Sequence, residues 1–203
     1  MSGTQVALEA VFPAALRRRL TLIRTAAAED SEGIWGILEP VFRAAETYTV
    51  PRDISRADAL AYWLADAHEV FVFEEAGQIH GTYFLQANQR GGGSHVANCG
   101  YITAAWAGGR GIAGAMCAHS LERAQIRGFR AMQFNFVVST NERAVRLWQS
   151  FAFAIVGRLP EAFWHPTLGY VDAFVMFRNL LVSGQHVADG GNAPAGVFAS
   201  QHD

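Results

Sequence analysis

No apolar run in the sequence approaches the roughly 18 consecutive residues of a membrane-crossing helix. The apolar stretch ahead of Arg17, Arg18 and Arg19 carries its charges after it, unlike a secretory signal. Cysteine is scarce. The two present, Cys99 and Cys117, lie in neither a CxxC nor a metal-ligand spacing, which argues against a disulfide framework and for two small core residues in a reducing compartment. No metal is expected, and the expected location is cytoplasmic. There is no excess of one charge: 16 Lys+Arg stand against 18 Asp+Glu without a basic block, so nucleic acid is not an expected partner and a small ligand is. Internal repeats are missing too. What is there is a 203-residue chain, 51% hydrophobic and 17% charged, which is enough to bury the core of one domain.

The stretch from Tyr101 to Asn141 organises that domain. An apolar strand-like run, Tyr101 to Ala104, leads into a turn holding Gly108, Gly109, Gly111 and Gly114, then a helical pattern to Arg127 and a second strand. Glycine lets backbone approach a ligand closely, and a turn that opens a helix points free N–H groups at an anion. That is the layout of a pyrophosphate site.

Along the chain, Thr21 to Thr25 reads as a strand and Glu29-Asp30-Ser31 as an acidic helix start, with Ile34, Ile37, Leu38, Val41 and Phe42 at helical spacing. Pro51 interrupts the polar, aromatic segment from Ala45 to Ser55, a candidate lid, and Ser55 can cap a second helix bearing Ala59, Tyr62, Trp63 and Leu64. Val70 to Phe73, Gln78 to Leu85 and Val96 to Ala104 read as a meander. A helix through Ile112, Met116, His119, Leu121 and Ala124 stops at Gly128. A strand from Met132 to Val138 and a helix from Asn141 follow. Two final strands, Ala154 to Leu159 and Val171 to Phe177, are expected on either side of a loop from Pro160 to Gly169. The predicted organisation is an N-terminal extension over 1–20 with a short helix, a domain over 21–180 and a frayed tail over 181–203. The order β-α-α-β-β-β-α-β-α-β-β predicts an α+β fold: a mixed, mostly antiparallel central sheet with helices on both faces.

Gly108-Gly109-Arg110-Gly111-Ile112-Ala113 resembles the (Gln/Arg)-x-x-Gly-x-(Gly/Ala) acyl-CoA loop of the GNAT superfamily of N-acetyltransferases. Asn141-x-x-Ala144-x-x-Leu147-Trp148 resembles the next helix of that superfamily, with a strand between the two motifs as in its members. The segment Phe134-Asn135-Phe136-Val137-Val138-Ser139-Thr140-Asn141, with Gly157-Arg158-Leu159-Pro160, is similar to the fungal acetyltransferases of proline analogues such as azetidine-2-carboxylate. The resemblance implies the GNAT fold, acetyl-CoA as donor, CoA as product, and a small amino acid or proline-like amine as acceptor. It implies cofactor contacts from Ile102, Thr103, Ala104, Gly108, Gly109, Arg110, Gly111, Ile112, Ala113, Gly114, Asn141, Ala144 and Trp148. It implies also that Asn135 holds the acceptor's carboxylate, and that the protein is a homodimer.

Two positions depart from the superfamily pattern: Gly108 replaces the Gln or Arg, and Trp148 replaces the Tyr thought to protonate the leaving thiolate. Closer relatives also carry Trp there. Indole N–H is no ordinary acid, so CoA leaves as thiolate or another group donates. A neutral amine must attack a thioester whose oxygen gains charge, so backbone N–H donors and a proton acceptor are needed. Glu46, Tyr48, Asp53, Tyr101, His165 and Tyr170 are the candidates for proton transfer; Tyr101 and Glu46 are placed in catalysis, and Tyr48, His165 and Tyr170 beside Asn135 at the acceptor. The competing readings are acetylation of a protein N-terminus, a lysine or an aminoglycoside, and a non-catalytic acyl-CoA-binding module.

Overall fold

Alternating apolar residues and tight turns place seven strands in one sheet. The computed structural model describes residues 21–181. The expected extension over 1–20, and the expected tail beyond its first residue, lie outside the described residues. In chain order the strands are β1 (Thr21–Thr25), β2 (Glu69–Glu75), β3 (Gln78–Ala87), β4 (Val96–Thr103), β5 (Ala131–Val138), β6 (Ala154–His165) and β7 (Gly169–Asn179). The helices are α1 (Ser31–Ala44) and α2 (Arg56–Trp63) after β1, α3 (Ile112–Ile126) after β4, and α4 (Glu142–Ser150) after β5. The sheet order is β1-β2-β3-β4-β5-β7-β6, antiparallel at every junction except the parallel pair β4–β5. The expected element order and mixed sheet are what the chain forms.

Each face of the sheet carries its own core. On one side, α1 and α2 bury Ile34, Ile37, Leu38, Phe42, Ala59 and Trp63, and the Trp63 indole N–H donates to Thr82 Oγ1 at 3.0 Å. On the other, α3 lies so close to β3 that a Cβ on Gly81 would stand 2.9 Å from Met116 Cε. The start of α1 is fixed by charge: Arg24 of β1 donates to both oxygens of Asp30 at 2.6 and 2.8 Å and to Glu74 of β2 at 2.8 Å. The Arg24 guanidinium holds the Asp30 carboxyl below the usual carboxylate range. Ser55 caps α2 as expected, its Oγ accepting from the Asp58 N–H at 3.0 Å. Both cysteines are buried in the core, where desolvation pushes each thiol up to about 12.

One expected loop is absent. Pro160 to Gly169 reads as a connector because proline and glycine bracket it, yet β6 runs on to His165, and β6 and β7 form a long hairpin closed at Pro166–Leu168. The ladder shifts register between Leu159 and Phe163. Pro160 lacks a donor and is tolerated because β6 is the edge strand.

Candidate active site

The site begins where a ladder stops. Strands β4 and β5 pair only at Val96↔Ala131 and Ala97↔Met132, then diverge. The Asn88 N–H donates to the Val96 carbonyl and the Ala104 N–H to the His80 carbonyl, so the even-numbered residues of β4 bond to β3. By alternation, Cys99, Tyr101 and Thr103 turn their N–H and C=O groups toward the gap. The Tyr48 hydroxyl donates to the Tyr101 carbonyl at 3.1 Å, and by the same alternation the N–H groups of Tyr101 and Thr103 face the gap. A cavity of about 480 Å³ occupies the gap and passes through the sheet.

Trp148 and Ala144 of α4, with Tyr101 and Phe134, wall the cavity on the α3 and α4 side; the Trp148 ring lies 4.9 Å from Tyr101 and 5.0 Å from Phe134. Tyr48, Thr47, Thr49, Tyr62 and Phe84 line it on the α1 and α2 side. Close approach there depends on Gly100: a Cβ would sit 2.5 Å from the Phe84 ring and 3.2 Å from Tyr48 Oη. Among the described residues the wall contains no Asp, Glu, Lys, Arg or His.

Asn135 stands in a β-bulge, where Asn135 and Phe136 of β5 oppose Val175 of β7. A bulge re-aims side chains, and here it brings an exposed amide to the cavity edge. Asn135 Nδ2 donates to Asn88 Oδ1 at 2.6 Å, Gln133 Nε2 donates to Asn135 Oδ1 at 2.8 Å, and Asn98 Nδ2 donates to the Gln133 carbonyl at 2.9 Å. Asn135 is thus an exposed member of a chain of amides with spare donors.

The glycine turn has the backbone its residues suggested. Gly109 (φ 79°) and Gly111 (φ 78°) are left-handed, Gly111 is the N-cap of α3, and Ile112 starts the helix, with Ala113 and Gly114 in its first turn. Gly114 brings α3 to van der Waals distance of α4: its Cβ would lie 3.9 Å from Leu147 and Phe151. Asn141 caps α4, its Oδ1 accepting from the Ala144 N–H at 3.2 Å, and also lines the cavity. Ile102 and Thr103 line the cavity, and Ala104 is buried behind them. Arg110 does not lie free over the turn; it ion-pairs with Glu75. A basic group missed by sequence reasoning is nearer Gly108: Arg143 Nη1 would stand 3.9 Å from a Cβ there. Its place two residues after Asn141 was the available signal.

Other expected site residues are not brought together. The Tyr101 ring is wall, but its hydroxyl pairs with Ser120 Oγ at 2.6 Å in the core, and burial raises its pKa well above the usual phenol value. Glu46 and Asp53 are exposed and do not line the cavity. His165 is buried at the end of β6 with Nδ1 facing Thr167, and Tyr170 is 66% exposed against Trp164; neither lines the cavity. Tyr48 does line it, with burial raising its pKa well above the ordinary value, so its hydroxyl is a neutral donor. Asn98, Thr47, Thr49, Tyr62 and Phe84 join the cavity wall beyond the residues expected from sequence. Asn98 carried the same signal as Asn135, an amide within a strand run, whereas Tyr62 reads as part of an apolar helix face.

A mixed sheet opened between parallel strands, with a glycine turn feeding a helix beside the opening, is the acyl-CoA N-acyltransferase fold. The sequence model of the Acetyltransferase (GNAT) family matches residues 34–153, more than half of the chain, and the protein belongs to that family. The N-acetyltransferase aca1 of Schizosaccharomyces pombe is 31% identical over 98 residues, which cover 47% of this chain and 46% of that relative, so the match spans under half the relative's length. A GCN5-related N-acetyltransferase from Kribbella flavida is 37% identical, with a TM-score of 0.75 over 78% of this chain and 97% of its own. The structure of yncA from Salmonella typhimurium, solved with its cofactor acetyl-CoA, is 20% identical, with a TM-score of 0.71 over 88% of this chain and 99% of its own, and shares the fold. No described helix is long and apolar enough to cross a membrane.

Proposed function

We propose that the protein transfers the acetyl group of acetyl-CoA to the amine of a small amino acid or proline-like analogue. The observation that carries this reading is the bulged Asn135, at the cavity edge in a chain of neutral amides whose spare N–H groups suit a carboxylate. The diphosphate would meet the N–H groups around Gly109 and Gly111, while the pantetheine arm pairs with the open edge of β4. The thioester oxygen would then face the free N–H of Tyr101 or Thr103, donors fixed before charge develops. Ala144 and Trp148 would flank the donor, with Asn135 and Tyr48 at the acceptor. Cys99, held as a neutral thiol, is no nucleophile, which favours direct attack by the amine.

The uncharged wall bears on the rival acceptors. An aminoglycoside brings several ammonium groups, and the described wall has no carboxylate to meet them. An amine entering such a site sheds its proton to water and not to a wall carboxylate or imidazole. The test is to incubate the protein with acetyl-CoA and a panel of cyclic and primary amino acids and follow free thiol. Release with the amino acids is expected; silence across the panel retires the small-amino-acid reading, and tight CoA binding with no thiol release from any acceptor, peptides and aminoglycosides included, selects the non-catalytic module.

A homodimer is part of the same reading. Ile155, Val156, Leu159, Trp164, Leu168 and Tyr170 are exposed on the β6–β7 hairpin, whose outer strand is a sheet edge. A second copy of the hairpin would cover them. Light scattering should return twice the chain mass, and a monomer at assay concentration would refute it.

A further inference from the structure

The turn that opens α3 is tied to the β2–β3 hairpin at two points. At its entry, the Ala104 N–H donates to the His80 carbonyl at 2.9 Å. At its centre, Arg110, flanked by the left-handed Gly109 and Gly111, sends its guanidinium back to Glu75 Oε2. Glu75 is itself well fixed. It ends β2 at a two-residue turn, with Ala76 at φ 54° and Gly77 at φ 80°, the mirror-image geometry that holds hairpin strands in register. The same carboxylate oxygen lies 3.9 Å from Nε2 of the buried His80. His80 is the extra residue where pairing jumps from Phe73↔Gly81 to Glu74↔Ile79, so a bulge brings it beside Glu75.

Two left-handed glycines leave a turn with many conformations to lose when it binds a diphosphate. A side-chain tether from its middle to a rigid hairpin removes part of that loss beforehand. We infer that Glu75 is a positioning residue for the donor: it holds Arg110 so that the backbone N–H groups on either side are set for the diphosphate, and Arg110 acts as an anchor, not as a phosphate ligand. This rests on the placement of acetyl-CoA at the turn and is independent of the acceptor's identity.

The two roles open to Arg110 predict opposite signs. If Glu75 merely restrained an arginine that binds phosphate, removing its charge would free the arginine and tighten the cofactor. As an anchor, its removal loosens the turn. Glu75→Gln, Arg110→Gln and the double variant are compared for the KM of acetyl-CoA and of acetyl-pantetheine, which lacks the diphosphate. Each single variant should raise the acetyl-CoA KM roughly three- to five-fold, the scale of a part-exposed ion pair, with kcat unchanged. The double variant should match Arg110→Gln, and acetyl-pantetheine should be indifferent to all three. A lower or unchanged acetyl-CoA KM in Glu75→Gln, additive effects in the double variant, or an equal shift for acetyl-pantetheine would each overturn the inference. Calorimetric titration with CoA gives the same comparison without any acceptor, so a silent amino-acid panel leaves this test intact.

Discussion

At the scale of single residues, the site is built from neutral polar groups whose neighbours fix their direction. Asn135 accepts from Gln133 and donates to Asn88, which leaves one of its N–H groups for a ligand. Asn135→Ala removes that donor without disturbing the donor-side wall of Trp148 and Ala144. The acceptor KM should rise about ten-fold, corresponding to roughly one hydrogen bond to a charged group, while the acetyl-CoA KM stays within two-fold. Equal effects on both would count against the carboxylate-holding role. Gly100 makes a second case: a methyl group there overlaps the Phe84 ring and crowds Tyr48. Gly100→Ala should cost about 1–3 kcal/mol in denaturant unfolding, because the core side of Phe84 offers little room to retreat. If stability holds and the acceptor KM is unmoved, the close contact at Gly100 is not what shapes this wall.

At the scale of elements, much was legible because propensity, periodicity and turn residues agreed. Gly128 ends α3, Ser55 starts α2, and Asn141 starts α4 in the places their chemistry suggests. The failures share a cause, which is that sequence shows a residue's type but not what lies across from it. Pro160 looked like a loop residue because nothing in the sequence says that β6 is an edge. The bulge at Asn135 depends on the register of β7, and the Tyr101 hydroxyl is claimed by Ser120 from a helix 19 residues on. Glu46, His165 and Tyr170 have the chemistry for proton transfer or acceptor binding, but the fold leaves them outside the cavity wall. The glycine turn offers the test at this scale. Gly109→Asp places a carboxylate, and a side chain disfavoured at φ 79°, where the diphosphate is proposed to lie. It should raise the acetyl-CoA KM at least ten-fold, whereas Gly92→Asp, in the other glycine-rich turn with nothing within 4 Å, should leave it unchanged. Equal KM values for both folded variants would remove the turn from the cofactor site.

At the scale of the whole molecule, His119 and Asp30 respond to acid in separate windows. His119 on α3 accepts or shares a proton with the Tyr83 hydroxyl through Nδ1 at 2.6 Å, beside Phe71, Glu122, Arg123 and Glu69. Desolvation lowers its pKa, so the folded state prefers the neutral ring. The unfolded chain then takes up the proton first as pH falls. His119 therefore contributes fully above its unfolded pKa of about 6.5, and that contribution is lost progressively on acidification down to the lower folded value. Asp30 acts in the next window: held below the usual range by Arg24, it contributes above its unfolded pKa of about 4, and this is lost as pH falls further. Melting curves from pH 7.5 to 3 should thus show a shallow early fall in Tm and a steeper late one. His119→Gln keeps a hydrogen-bonding side chain without a titrating group, so it should flatten the early fall and leave the late one. Asp30→Asn should lower Tm at pH 7 and shrink the late fall. If His119→Gln preserves the slope between pH 7 and 5.5, the early window belongs to another group and the ring's burial is not what sets it.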